Sequence, residues 1–167
     1  FLKKSVGEVL EAAKKSPDRA ELVSAVRPIL LKTISFDAMT RRAVGPGWRQ
    51  FTDAEQQDAI SFFTTLIIRT YSAKFTPGEL PDVVYKAATE TAPGRVEVAT
   101  TTLYKGSRYE VIYRLEQPDG KGWRVTDVVI EGVSMVKNYR GQFREILSKK
   151  KPEDLLQTLR DKVKEKQ

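Results

Sequence analysis

Cysteine and histidine are both absent from the chain. Their absence excludes thiol nucleophiles, Cys or His zinc sites and every triad built on an imidazole base. Carboxylate, lysine, tyrosine or serine chemistry is left, with little else in the sequence to support it. A chain without thiols is safe in an oxidising or a reducing compartment, so the missing cysteines leave the compartment open. Long apolar runs are missing as well. The longest candidate, residues 59–71, is interrupted by Ser61, Thr64 and Arg69, and nothing reaches bilayer-spanning length. Neither G-x-G-x-x-G nor a Walker lysine pattern occurs. Gly45-Pro46-Gly47 is no substitute, because Pro46 has no N–H to offer a phosphate.

What is present describes a globular chain. Its 167 residues are 40% hydrophobic and 31% charged, which fits one domain, residues 1–167, with a single sizeable core. The net charge is +7. Residues 136–167 carry ten Lys/Arg against five Asp/Glu, so much of the excess sits in this last segment. A basic face attracts nucleic acid, anionic membrane or an acidic partner, and it also describes an ordinary solvated helix surface. No stacking platform or known motif accompanies Lys137, Arg140, Arg144 and Lys149-Lys150-Lys151, so nucleic acid is not an expected partner.

The apolar pattern gives the elements. Leu2, Val6, Val9, Leu10 and Ala13 predict a surface helix ending near Ser16-Pro17. A second helix is expected from about Asp18, kinked or ended by Pro28. Phe36 to Val44 reads as a third, stopped by Gly45-Pro46-Gly47, with Trp48 and Phe51 in a short turn. Thr52 or Asp53 caps a long helix, with Glu55 placed for a capping box. Its apolar residues, Ala59 through Phe75, cover too much of the circumference for one surface stripe, so it is buried on most sides or lines a cavity. Pro77, Gly78 and Pro81 mark the exit. From Asp82 the period becomes two. Val83-Val84-Tyr85 begins an extended segment and residues 95–104 a strand. Residues 108–116 alternate, with Tyr109, Val111, Tyr113 and Leu115 inward. Pro118-Asp119-Gly120 turns the chain into a strand over 123–130. Gly132 is a corner from which the strand passes straight into a helix reaching about Ser148. A last helix starts at Pro152 and buries Leu155, Leu156, Leu159 and Val163.

The expected fold is therefore α+β: a helical half over about 1–76, a sheet over about 82–131 and helices over about 133–166. The sheet is a curved antiparallel one of about four strands, packed against a layer of about six to seven helices and enclosing an apolar pocket. Asp127 and Glu131, four residues apart at a strand end, could serve acid–base chemistry in an isomerase- or dehydratase-like enzyme. They equally fit a solvent-side Asp and a helix-start Glu held by Arg or backbone N–H groups. Asp37 fits a local cap better than a base. The aromatic set Trp48, Phe62, Phe63, Tyr71, Phe75, Tyr109, Tyr113, Trp123, Tyr139 and Phe143 suits either a packed core or an apolar pocket.

Residues 123–143, WRVTDVVIEGVSMVKNYRGQF, resemble the signature of the MlaC family, the periplasmic phospholipid-carrying proteins also known as toluene-tolerance auxiliary proteins. Phe36-Asp37, Gly45 to Trp48, the Thr52 to Tyr71 helix ending Arg69-Thr70-Tyr71, and the closing Leu155 to Leu159 helix follow in the family's order. The resemblance covers essentially the whole chain. Trp-x-Val-x-Asp-Val-x-x-Glu-Gly-Val-Ser is its specific part, and Pro46 beside Gly45 is a small departure.

The resemblance implies a carrier rather than an enzyme, with bound phospholipid as cargo and no cofactor or metal. It implies a periplasmic location and a role in outer-membrane lipid asymmetry. The partners it implies are an inner-membrane ABC transporter with an MCE-domain ring and an outer-membrane lipoprotein complex. A monomer is expected. No signal peptide is visible, and the chain opens inside the first helix pattern, so a leader is expected to have been removed. The residues expected at the acyl tails on matched motif positions are Trp48, Tyr71, Val125, Val133, Val136 and Tyr139. Inward-facing periodicity adds Phe36, Met39, Val44, Phe63, Leu66, Ile67, Val98, Val111, Tyr113, Ile130 and Met135. Lys137, Arg140 and Arg144 are expected to face an anionic headgroup, a membrane or a partner.

Overall fold

The computed structural model describes residues 1–76, 79–117 and 122–165. The turn expected at Pro118-Asp119-Gly120, and Pro77-Gly78 in the exit loop, lie outside them. The fold is α+β. Helices α1 (Leu2–Lys15), α2 (Arg19–Thr33), α3 (Phe36–Val44), a 3-10 helix (Gly45–Gln50) and α4 (Asp53–Ser72) precede a sheet of β1 (Asp82–Ala92), β2 (Arg95–Tyr104), β3 (Ser107–Glu116), β4 (Arg124–Ile130) and β5 (Val133–Ser134). Helices α5 (Met135–Lys149) and α6 (Pro152–Glu165) follow. Two compact units are distinguished, Phe1–Ser35 with Phe75–Met135, and Phe36–Lys74 with Val136–Gln167.

The first unit is the antiparallel sheet, in the order β1-β2-β3-β4-β5, with α1 and α2. Directly opposed residues share a face, so the register sorts the side chains. Tyr85↔Thr100↔Val111↔Ile130 form one row across four strands, and Val98↔Tyr113↔Val128 form the next on the same face. The opposite face carries the row Glu97↔Arg114↔Asp127. On the apolar face Leu2, Leu115 and Val125 make a core, with Val6, Ile34, Tyr85, Val98, Tyr113, Trp123 and Val128 against it. Ile34 at the end of α2 is fixed there by a parallel bridge to Val125, beside the hydrogen bond from the Ser35 N–H to the Val125 carbonyl (2.9 Å).

Four details sharpen or correct the sequence reading. Of the two outcomes expected at Pro28, a kink or an end, the end does not occur, and α2 runs on to Thr33. An interior proline costs about 3 kcal/mol, and burial of Leu22 and Val26 before it and Thr33 after it offsets that loss. Tyr109, expected inward, is 40% exposed. It pairs with Thr102 close to the β2–β3 turn, away from the residues that Leu2 and Ile34 cover. Asp127, read as solvent-side in the bland alternative, is buried.

The fourth is the corner at Gly132. The strand does not pass straight into a helix. Glu131 (φ 50°) and Gly132 (φ 79°) fold the chain back, so that Ile130 pairs with Val133 and Val129 with Ser134 before α5 begins. Two successive positive φ values are those of a type I′ hairpin turn, whose twist matches the strands. A left-handed glutamate is uncommon. Glu131 is held there by β3: its N–H donates to the Glu110 carbonyl (2.9 Å), and its Oε1 accepts the Glu110 N–H (2.6 Å).

The second unit is helical. Thr52 caps α4 through the expected box: the Thr52 hydroxyl accepts the Glu55 N–H (3.1 Å) and the Glu55 carboxylate accepts the Thr52 N–H (2.9 Å). The α4 face with Phe63 meets α5 edge-on, with ring centroids 5.1 Å from Tyr139 and 5.8 Å from Phe143. Phe62 faces α6, where the Arg160 guanidinium lies 5.1 Å from its ring. The Arg69 side chain donates to the Val163 carbonyl (3.2 Å), and Arg140 to the Arg42 carbonyl (2.9 Å), tying α4 to α6 and α5 to α3.

Candidate functional site

In the sheet unit, the expected tail residues Val98, Val111, Tyr113, Val125 and Ile130 all stand on the apolar face defined by the register. Alternation puts Val111 and Tyr113 together on β3, and the register shift at Arg114/Leu115 brings Val125 and Ile130, an odd spacing apart on β4, to that same face. Val111 and Val125 are buried, while Val98, Tyr113 and Ile130 keep part of their surface. Val133 pairs with Ile130 and is 59% exposed, the largest exposure in the expected set. Met135, at the start of α5, is buried.

In the helical unit, Phe36, Met39 and Val44 on α3 are buried, as are Phe63, Leu66 and Ile67 on α4 and Val136 and Tyr139 on α5. Met39 and Phe63 are 0% exposed. Such side chains face no void large enough for water, so a ligand reaches them only by displacing their neighbours. Trp48 and Tyr71 are half-buried; Trp48 stacks on Phe51 at 5.7 Å, and the Lys74 ammonium sits 5.2 Å from the Tyr71 ring. Burial pushes the Tyr139 phenol up, and the Thr70 hydroxyl pulls it part of the way back. That hydroxyl has no partner in strict hydrogen-bond geometry, so its hold on Tyr139 is loose. Lys137, Arg140 and Arg144 are exposed along α5.

The carboxylates occupy structural positions. Asp127 Oδ1 accepts the Val128 N–H (2.8 Å), and its Oδ2 accepts from the Ser134 hydroxyl and from the Arg114 guanidinium (3.3 Å). Arg114 also reaches Glu97 at 3.3 Å, so one cation spans the cross-strand row. Asp127 thereby pins β5 and β3 to β4. Glu110 accepts from Lys86, Arg108 and Thr101, and the Lys86 ammonium above all lowers its pKa. Asp37 is exposed in the first turn of α3, where an acid suits the helix dipole. Among the described residues no group of three or more His, Cys, Asp or Glu could hold a metal ion. None of their helices is long and apolar enough to cross a membrane.

An open groove of about 560 Å³ runs between α1 and α2, lined by Glu8, Glu11, Ala12, Lys15, Ser16, Glu21 and Ala25. Its charged rim suits water better than hydrocarbon.

Two residues near Tyr113 escaped the sequence reading. Tyr85 shares the apolar face with it, and the Lys3 ammonium of α1 lies 5.8 Å from the Tyr85 ring centroid, within cation–π range. Tyr113 is half-buried, and burial pushes its phenol up to about 12, with Tyr85 adding to the shift. Burial also raises Tyr85. The alternation Val83-Tyr85 carried a signal for the face, but nothing local in the sequence announces Lys3.

The profile of a family described as "MlaC protein" matches residues 3–161. No protein with a curated description matches the chain. Among solved structures, a phospholipid-binding protein from Ralstonia solanacearum, determined in complex with a phospholipid, is similar at a TM-score of 0.90 and 27% identity. The match covers 99% of this chain and 96% of that one.

Proposed function

The chain belongs to the MlaC family, and from that premise we propose that it is a periplasmic carrier of glycerophospholipid and not an enzyme. The observation that carries the reading is the near-complete match to a fold that holds a phospholipid in the Ralstonia protein. The apolar face of the sheet gives it chemical sense. Val98, Val111, Val125 and Ile130 offer no hydrogen-bonding group, so they can recognise tails and not headgroups. The tail contacts proposed for this protein are the seventeen residues set out above from sequence, with the half-buried Trp48, Tyr71, Val98, Tyr113 and Ile130 accessible without rearrangement.

Energetics favour exchange over solution binding. Burying about 30 acyl CH₂ groups at ~0.8 kcal/mol each gives on the order of 25 kcal/mol against water. Non-covalent affinity saturates at about 18–21 kcal/mol. The relevant reference is another apolar site, and transfer from bilayer or partner can be close to neutral. The donors and acceptors proposed are an inner-membrane ABC transporter with an MCE-domain ring and an outer-membrane lipoprotein complex. The acid–base alternative draws on Asp127, whose oxygens are taken up by Val128, Ser134 and Arg114. That engagement favours the carrier.

Lys137, Arg140 and Arg144 supply a basic strip for an anionic membrane or partner. Incubated with anionic vesicles at low salt and then separated from them, the protein should leave carrying phospholipid. Changing all three residues to Gln should slow this loading several-fold, and added salt should then matter less. Loading that is equally fast and equally salt-dependent in the triple variant would remove the strip from the account. No loading of the unaltered protein from any vesicle would count against the carrier.

A further inference from the structure

The polar cluster of Lys3, Tyr85 and Tyr113 stands out on the otherwise apolar face of the sheet unit. Tyr85 and Tyr113 both pack against the Leu2, Leu115 and Val125 core. Neither hydroxyl has a hydrogen-bond partner among the described residues. Both hydroxyls keep access to solvent, since among the described residues only Thr70 Oγ1 is a fully buried side-chain oxygen without a partner, so each can offer its O–H to a ligand. Lys3 is exposed, makes no ion pair among the described residues, and holds its ammonium over the Tyr85 ring. The arrangement combines two half-buried phenol donors with an exposed cation.

Resting on the carrier reading, we infer that Lys3, Tyr85 and Tyr113 form a binding site for the phosphodiester of the bound phospholipid. Two O–H donors and an N–H₃⁺ suit an anion that only accepts hydrogen bonds, and charge-assisted bonds of this kind are the stronger ones. Neutral phenols are required for donation, and both tyrosines keep their protons well above neutral pH because burial raises them. The rows Tyr85↔Thr100↔Val111↔Ile130 and Val98↔Tyr113 then run from the phosphodiester along a surface suited to tails. The site fixes the headgroup end of the lipid without reading what is attached beyond the phosphate.

The test compares two ligands with the same diacylglycerol body, one carrying a phosphoglycerol headgroup and the other none. Unaltered protein, Tyr85→Phe, Tyr113→Phe and Lys3→Gln are loaded from neutral carrier vesicles containing either dioleoyl phosphatidylglycerol or dioleoylglycerol, and occupancy is read by native mass spectrometry. Each Phe variant should lose about tenfold more affinity for the phospholipid than for the diacylglycerol. Lys3→Gln should lose only a few-fold, being exposed. Equal loss for both ligands would place the hydroxyls at the acyl esters or in the fold and overturn the inference. So would phospholipid binding unchanged in both Phe variants. Inorganic phosphate alone should leave the Tyr113 ring resonances in place; a saturable shift would make this a free-anion site instead. Unaltered protein that takes neither lipid would defeat the carrier reading and this inference with it, whereas normal loading with insensitive variants defeats the inference alone.

Discussion

Replacing Phe63 by alanine should lower the stability of the lipid-free protein by about 3–5 kcal/mol. Phe63 has no exposed surface and sits edge-on to both Tyr139 and Phe143. Removing the ring deletes its burial and leaves a cavity between α4 and α5 that helices can close only in part. A fall in Tm on the order of 10 °C is expected for a chain of this size. Phe62→Ala is the control, since Phe62 is half-buried and faces the Arg160 guanidinium; its loss should be less than half as large. Urea unfolding must be done after delipidation, because a ligand bound only to the native state would mask the difference. A Phe63→Ala loss below about 1 kcal/mol would mean that the ring is not packed as described.

Asp127→Ala should cost about 3 kcal/mol, the range for breaking a buried pair reduced by the partial exposure of its cation. The Asp127 side chain is 10% exposed, but that of Arg114 is 40% exposed. The change strips acceptors from the Ser134 hydroxyl and the Val128 N–H while leaving Arg114 with Glu97. Asp127→Asn keeps an acceptor oxygen and should cost about 1 kcal/mol. The pair also separates the two functional readings. A structural Asp127 predicts that Asp127→Asn loads phospholipid as well as the unaltered protein does. An acid–base role predicts a folded protein with a lost activity, and finding such an activity would sink the carrier reading.

Local chemistry made much of the fold legible. Thr52 with Glu55, the Gly45-Pro46-Gly47 stop and Pro152 at a helix start each act within a few residues, and each lies where expected. What needed partners was hidden. The stretch Lys86 to Ala92, KAATETA, has little strand propensity, yet it completes β1 because β2 offers a ladder from Arg95 to Leu103. Asp127 stands on the face opposite Val125, two residues away, because of a register shift between Arg114 and Leu115, which no single strand displays. The Gly132 corner looked like a strand–helix junction because Val133-Ser134 is too short to alternate; only pairing with Ile130 and Val129 reveals a strand.

The site divides in the same way. Alternation put Val111 and Tyr113 on one face of β3, but only the register shift between Arg114 and Leu115 brings both Val125 and Ile130 to it. Periodicity could not tell a fully enclosed Phe63 from an accessible Trp48, since both are apolar at helical spacing. Nor could it bring Lys3 of α1 to Tyr85 of β1, a meeting set by the way Leu2 docks on Leu115 and Val125.

The central claim is that this protein holds phospholipid by its tails, and native mass spectrometry of the gently purified protein, paired with organic extraction, addresses it most directly. The account predicts a mass increment of one diacyl phospholipid at close to stoichiometric occupancy, released by denaturation and recovered in the organic phase. Protein that emerges at its bare sequence mass, yields no diacyl lipid on extraction and takes none up from vesicles would contradict it.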